Sequence, residues 1–176
     1  MKDLAQPPPK PSDGPPRAVV PTDLSKSLRV IGAGYPRTGT SSLTLALEIL
    51  FEAPVMHSGS SCLEREESFI KTWIEIMNNS GTYNQPTQES TRRALRSLCA
   101  GYVGITDAPG ALFIRELVEE FPDAIVICTQ RNPEKWLKSF QAVGESIMML
   151  KTLNLVLSPL PSVRYFGSWI NALMKR

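Results

Sequence analysis

Residues 32–42 read Gly-Ala-Gly-Tyr-Pro-Arg-Thr-Gly-Thr-Ser-Ser, and this stretch decides the fold. A short β-rich run, residues 28–31, precedes it. After it, apolar residues recur at the spacing of one helix face: Leu43, Ala46, Leu47, Leu50 and Phe51. A glycine-rich connection of this kind turns backbone N–H groups inward, and the positive end of the helix faces the same point. The stretch therefore predicts a phosphate-binding loop between a strand and a helix.

The loop departs from two well-known nucleotide motifs. The dinucleotide fingerprint GxGxxG requires glycine at position 37, where Arg37 stands. The Walker A pattern fits Gly34 and Gly39 but has Thr40 in place of its lysine. Arg37 adds a fixed cation, and hydroxyl donors follow at Thr38, Thr40, Ser41 and Ser42. A Ser/Thr-rich turn that only caps the helix is the alternative, but the coincidence of strand, glycines, arginine and hydroxyls favours an anion site.

Strand-like and helix-like segments alternate along the rest of the chain. The predicted strands are 28–31, 54–57, 102–106 and 124–128. The predicted helices cover 43–51, 69–77, 94–99, 107–121 and 132–140. The run 124–128 is continuously apolar, which predicts a strand covered on both faces. The order predicts an α/β fold, a P-loop NTPase-like three-layer α/β/α arrangement with a parallel sheet, incomplete at the C-terminus.

Composition excludes several classes of protein. The chain has 176 residues and a formal net charge of +2, so no strong basic field argues for nucleic acid or a membrane surface. Three cysteines without a CxxC pair and a single histidine predict neither a disulfide framework nor a metal site. The sequence therefore predicts a protein without a bound metal, and an N-terminus that does not resemble a targeting signal predicts a cytoplasmic location.

The chain divides into three predicted parts. Residues 1–27 are proline-rich and predict a disordered arm, with an SH3- or WW-binding segment as the alternative to a passive tail. Residues 28–145 carry the alternating elements and the motifs. Residues 146–176 predict an apolar helical cap or tail over the site, because charges and prolines interrupt a stretch too short for a membrane helix. A weak contact with a membrane surface is the alternative.

The loop resembles that of a known family. GYPRTGTSSL, residues 34–43, is similar to the 5′-phosphosulfate loop of P-loop sulfotransferases, which use 3′-phosphoadenosine 5′-phosphosulfate (PAPS). The resemblance is strongest to a fungal-type branch that carries PRTGTSSL and a later Asp-Ala-Pro element. Cytosolic small-molecule members have lysine where this chain has Arg37, and tyrosylprotein-type members also have arginine there.

A second motif matches the same family. In sulfotransferases, an arginine at a strand end and a serine eight residues later bind the 3′-phosphate. Here Arg131 follows the apolar run 124–128, and Ser139 lies at that spacing in the predicted helix. A surface arginine is the alternative, but the Asn-Pro-x-x-Trp-x-x-Ser context and the order of the two motifs favour the nucleotide site.

The resemblance implies roles for individual residues. It implies contacts with PAPS from Arg37, Thr38, Gly39, Thr40, Ser41, Arg131 and Ser139. It implies that Arg37 stabilises the leaving group, with either His57 or Asp107 as the general base. The residues themselves leave open a structural histidine and a helix-capping aspartate.

The resemblance ends before the chain does. Family members continue with another strand and a late aromatic-acidic loop, and neither has a match before Arg176, which predicts a truncated member. Sulfuryl transfer to a hydroxyl or amine of a small molecule, with secondary metabolism as its setting, is the leading hypothesis. The alternatives are a catalytically degenerate nucleotide-binding scaffold, other chemistry on the same fold, and a nucleotide kinase or hydrolase.

Overall fold

A computed structural model describes residues 18–79, 85–157 and 164–175, with side chains for 18–79, 88–145 and 164–175. Four short strands form one parallel sheet in the order β2-β3-β1-β4. The strands are β1 (Val30–Gly32), β2 (Val55–His57), β3 (Gly104–Thr106) and β4 (Ile125–Ile127). All four predicted strands are confirmed, each somewhat shorter than its apolar run.

Helices connect the strands and follow the last one. The described helices are α1 (Thr40–Phe51), α2 (Ser58–Glu64), α3 (Glu67–Asn79), α4 (Gln85–Cys99), α5 (Ile114–Glu120), α6 (Pro133–Leu157) and α7 (Phe166–Met174), with one 3₁₀ turn at Gly110–Leu112. Parallel strands need such crossovers, because consecutive strands that run in the same direction cannot be joined by a tight turn. The predicted α/β class with a parallel sheet is confirmed.

The sheet is covered on both faces. Side chains alternate along a strand, so Val30 and Val55 face one way, where they pack with Leu47 of α1. Ile31 and Met56 face the other way, into the larger cluster that α3, α4, α5 and α7 cover. The three layers of the predicted α/β/α arrangement are present in the described residues.

The last helix belongs to the hydrophobic core. Phe166, Trp169 and Ile170 of α7 are buried in the same cluster as Trp73 of α3. The sequence predicts an apolar helical cap or tail for residues 146–176, and in α7 these side chains pack into the main core. The aromatic residues at this spacing form one apolar face, which α3 covers.

The chain is anchored to the domain earlier than predicted. Within the predicted arm, Pro21 is buried, the Tyr102 hydroxyl donates to the Val19 carbonyl at 2.7 Å, and the Ala18 N–H donates to Glu64 at 2.7 Å. The segment 18–27 is therefore attached to the domain at several points. One of them satisfies the Tyr102 hydroxyl, since a buried tyrosine needs an acceptor for its O–H group. The remainder of the predicted arm, residues 1–17, lies outside the described residues.

Strand β4 is more exposed than predicted. Ile125 and Val126 are 67% and 45% exposed, whereas the continuous apolar run predicted a strand covered on both faces. The strand lies at one edge of the sheet, and α1 packs on β2 and β3 at the other side. An apolar segment indicates that a strand favours burial, but the position of the strand in the sheet determines how far its side chains are buried.

The segment after β3 is also less helical than predicted. A helix was expected to open at Asp107-Ala-Pro-Gly, with Pro109 in its first turn. The structure has a 3₁₀ turn at Gly110–Leu112, and α5 begins only at Ile114. The Asp107 side chain caps neither element, because it accepts a hydrogen bond from Thr40 instead.

Candidate active site

The site lies where the four parallel strands end. The loop 33–39 follows β1, His57 ends β2, Asp107 follows β3, and residues 128–132 follow β4. Because parallel strands place their carboxyl ends at one edge, these segments converge although they are far apart in sequence. The N-terminus of α1 points into the same region, where its first N–H groups have no intrahelical acceptor.

The loop itself is a compact turn. The N–H and the hydroxyl of Thr38 both donate to the Tyr35 carbonyl, at 3.2 and 2.6 Å. Arg37 has a φ of 71° and Gly39 a φ of 102°, both in the left-handed region. Gly39 adopts this conformation freely, but Arg37 is sterically strained there and must be held by its contacts.

Arg37 joins the loop to the second predicted motif. Its Nε donates to Ser139 Oγ at 3.0 Å, and Arg131 Nη1 donates to the Arg37 carbonyl at 3.0 Å. The structure thus brings together the two groups of residues that the sequence assigned to the two ends of one nucleotide. Asn132 begins α6 as predicted, since its Oδ1 accepts from the Lys135 N–H at 3.1 Å.

Gly34 allows the loop to approach β4 closely. A Cβ at this position would lie 1.9 Å from Thr129 Oγ1 and 2.8 Å from Thr38 Oγ1. These two hydroxyls form a hydrogen bond of 2.8 Å, which ties the loop to the end of β4. A side chain at position 34 would therefore displace the loop from β4.

We expect Gly34→Ala to lower the free energy of unfolding by about 1–3 kcal/mol, the usual cost of overpacking. Gly144→Ala is the matched control, because a Cβ at this helical position meets nothing within 4 Å. The control should be neutral or stabilising by up to about 1 kcal/mol. Urea unfolding of both variants measures the difference, and equal stabilities would contradict the close contact.

His57 and Asp107 form a second group beside the helix N-terminus. His57 Nε2 lies 3.4 Å from Thr40 Oγ1 and 3.3 Å from Ser41 Oγ. On the other side of the ring, Nδ1 lies 3.8 Å from Asp107 Oδ2 and 3.1 Å from Ser60 Oγ. Thr40 also donates to Asp107 Oδ1 at 3.3 Å, which closes the group.

Burial dominates the electrostatics of this pair. It lowers the pKa of His57 below that of an ordinary histidine, and the Asp107 carboxylate opposes the shift. Burial also raises the pKa of Asp107, against the influence of His57 and of hydrogen bonds from the Ala108 N–H and Thr40. The imidazole is therefore neutral at pH 7 and can accept a proton.

Some residues of the site were not singled out by sequence reasoning. Ser60 contacts His57, and its N–H also lies 3.5 Å from Nδ1. Thr129 holds Thr38, and Trp136 entered the sequence argument only as part of the motif around Arg131. A signal existed for Thr129, which follows an apolar strand directly, but Ser60 stands in a serine-rich stretch with no pattern that marks it.

The described residues also bear on metals and membranes. Within 18–79, 85–157 and 164–175, His, Cys, Asp and Glu do not come together in a group that could hold a metal ion. No helix in the same part of the chain is long and apolar enough to cross a bilayer.

The fold and the site define a class of protein. A parallel sheet with a glycine loop, a helix N-terminus and two arginines at its carboxyl edge is an α/β protein with a P-loop-like fold. Residues 29–176 match the model of the sulfotransferase domain family, and the chain belongs to that family.

One relative comes from a fungus. The chain is 30% identical over 114 residues to "Ava biosynthesis cluster protein M" of Aspergillus versicolor. The match covers 65% of this chain and 42% of that protein, so the chain spans less than half the length of this relative.

Proposed function

We propose that the chain binds PAPS and transfers its sulfuryl group to a hydroxyl or amine of a small molecule. The observation that carries the proposal is the pair of bonds that link Arg37 with Ser139 and Arg131, because these three residues belong to the two motifs that resemble the two halves of a PAPS site. Membership of the sulfotransferase domain family supports the reaction class. The fungal relative is named after a biosynthesis cluster, which supports an acceptor from secondary metabolism and membership of the fungal-type branch. We also propose a cytoplasmic location.

The residues present fit a nucleotide with phosphates at both ends. At the 5′ end, the N–H groups at the start of α1 and the Ser41 hydroxyl offer donors. The Thr38 and Thr40 hydroxyls, which donate to the Tyr35 carbonyl and to Asp107, would turn toward the bound phosphate. At the 3′ end, Arg131 offers a planar guanidinium that suits bidentate contact with phosphate, and Ser139 adds a hydroxyl.

In the proposed reaction, the sulfuryl group passes directly to the acceptor, without a covalent bond to the protein. The acceptor oxygen or nitrogen attacks sulfur in line, the bond from sulfur to the bridging oxygen breaks, and that oxygen leaves with the negative charge on the 5′-phosphate of adenosine 3′,5′-bisphosphate. The Arg37 guanidinium and the helix N-terminus stabilise this growing charge. The acceptor must lose one proton, and a base beside the loop takes it.

We assign that base to His57. Its Nε2 faces the loop hydroxyls, whereas the carboxylate of Asp107 lies behind the ring at Nδ1. Proton uptake at Nε2 requires the ring hydrogen on Nδ1, where the Ser60 Oγ at 3.1 Å can accept it and the Asp107 carboxylate, 3.8 Å away, acts through its charge. The Ser60 N–H, 3.5 Å from Nδ1, favours the opposite tautomer, but the Ser60 Oγ is closer to Nδ1, at 3.1 Å. Asp107 then stabilises the imidazolium that forms.

Nucleotide selectivity tests the function. Calorimetric titration of the chain should show binding of adenosine 3′,5′-bisphosphate and much weaker binding of ATP, which lacks the 3′-phosphate. We expect Arg131→Ala to weaken the bisphosphate affinity about 30- to 150-fold, since one charge-assisted bidentate contact is lost.

The matched control for this titration is Arg93→Ala. Arg93 is an exposed arginine of α4 that contacts Glu89, so its loss should leave the affinity within about two-fold. ATP binding as tight as that of the bisphosphate would point to a nucleotide kinase or hydrolase. A folded chain that binds the bisphosphate but transfers no sulfuryl group would be a nucleotide-binding scaffold.

A further inference from the structure

Trp136 makes a contact that the proposed roles of the site do not use. It lies in the first turn of α6, and its indole N–H donates to the Pro36 carbonyl at 2.9 Å. We propose that Trp136 is a positioning residue that clamps the phosphate-binding loop from the side of α6 and thereby sets the affinity for the 5′-phosphate end of the ligand. This inference rests on the proposed function.

Peptide geometry explains why this bond matters. In a planar trans peptide, the carbonyl oxygen and the following N–H point in opposite directions. Holding the Pro36 carbonyl against Trp136 therefore directs the Arg37 N–H away from α6. Arg131 holds the next carbonyl, that of Arg37, in the same manner. Two carbonyl oxygens, which would repel an anion, are thus kept on the α6 side of the loop.

The loop needs this support because its conformation is strained. Arg37 has a positive φ of 71°, a region that costs an L-residue roughly 1–2 kcal/mol. Thr129, Arg131 and Trp136 contact Thr38, Arg37 and Pro36 in turn. The connection from β4 into α6 thus holds three successive residues of the loop.

Trp136 is itself held in place. Its ring stacks on Phe140, with centroids 5.0 Å apart and an interplanar angle of 20°. The backbone beneath it is fixed by the Asn132 cap, since the Trp136 N–H donates to the Asn132 carbonyl at 2.9 Å. The side chain is partly buried, so the indole N–H competes little with water for its acceptor. A rigid donor of this kind can fix a loop rather than follow it.

Two ligands separate a clamp on the loop from a general effect on the fold. Adenosine 3′,5′-bisphosphate contacts both ends of the proposed site, whereas adenosine 3′-phosphate leaves the loop empty. We expect Trp136→Phe, which keeps a stacked ring and removes the N–H, to weaken the bisphosphate about five-fold, the equivalent of one net hydrogen bond. The affinity for adenosine 3′-phosphate should change less than two-fold.

Leu137→Ala is the control, because it shortens an exposed side chain of the same helix and leaves the indole donor and its stacked ring in place. It should leave both affinities within two-fold of those of the unaltered protein. Equal losses of both ligands in Trp136→Phe, or no loss of the bisphosphate, would overturn the clamp.

A ligand-free measurement separates failure of the clamp from failure of the proposed function. Hydrogen exchange of the peptide that covers residues 34–42 should be faster in Trp136→Phe than in the unaltered protein. If the unaltered protein binds neither nucleotide, the proposed function fails. The exchange result then decides the clamp alone, and unchanged exchange overturns it.

Discussion

Replacing His57 by alanine is expected to lower kcat for sulfuryl transfer by about two to four orders of magnitude, the range found when a general base is removed. The affinity for adenosine 3′,5′-bisphosphate should change far less, by about five-fold at most, because His57 contacts the hydroxyls of Thr40 and Ser41 while the Arg131 guanidinium and the N–H groups of α1 remain. Steady-state kinetics and calorimetry on the same variant give the two numbers. A large fall in kcat with a much smaller change in nucleotide affinity is the result expected for a general base.

The pH profile identifies which group of the pair acts. Burial lowers the pKa of His57, so kcat/KM should fall only as the pH drops below the value of an ordinary histidine, about 6.5. The Asp107 carboxylate raises the pKa of His57, so its removal in Asp107→Asn should move this acidic limb to still lower pH. The rate on the plateau should also fall, because the imidazolium loses its counter-charge.

Two results would contradict the assignment to His57. A His57→Ala variant that keeps both its rate and its acidic limb would place the base elsewhere. An Asp107→Asn variant that loses the acidic limb completely, while His57→Ala keeps it, would make Asp107 the base. In that case the raised pKa of Asp107 would set the limb.

The order of elements could be predicted from the sequence because local signals determined it. Glycines and prolines mark the connections, and the apolar spacing changes between strand and helix. The loop and the Arg131 motif each follow a strand, so convergence at the carboxyl edge followed from the parallel topology. Arg37 and Ser139 are 102 residues apart in the chain, yet their side chains form a hydrogen bond.

Burial and pairwise contacts could not be predicted in the same way. The apolar stripe of α1 predicted Leu50 on the core face, but Leu50 is 71% exposed while Thr44 is 1% exposed. Thr44 is buried because its hydroxyl bonds to Thr106 at 2.6 Å, a partner 62 positions away. From the sequence alone, a polar side chain of this kind is predicted to lie at the surface, because its hydrogen-bond partner is distant in the chain.

The uncertainty about the base had the same origin. In the sequence, His57 and Asp107 were two separate candidates at two strand ends. The structure places them on opposite sides of one contact, with Nδ1 toward the carboxylate and Nε2 toward the loop. This geometry assigns them different proposed roles, and no spacing in the sequence could have distinguished the two nitrogens.

Removing the guanidinium of Arg37 should lower kcat by about two to three orders of magnitude, as for other donors that stabilise charge in a transition state. The affinity for adenosine 3′,5′-bisphosphate should fall less, because the backbone N–H groups and Arg131 still bind its phosphates. Arg37→Lys keeps the charge but loses the planar fork and the Nε donor to Ser139, so it should recover part of the rate.

Two substitutions at position 37 separate the charge from the backbone strain. Arg37→Ala and Arg37→Gly both remove the guanidinium, but only alanine retains a Cβ at the φ of 71°. Both should lose the same factor in kcat, while the glycine variant should be more stable to unfolding by about 1 kcal/mol. Ser139→Ala removes both the partner of Arg37 Nε and the hydroxyl proposed for the 3′-phosphate, so it should affect nucleotide affinity more than kcat. Full activity in Arg37→Gly would show that the loop needs only its backbone, and the leaving-group role of Arg37 would then be wrong.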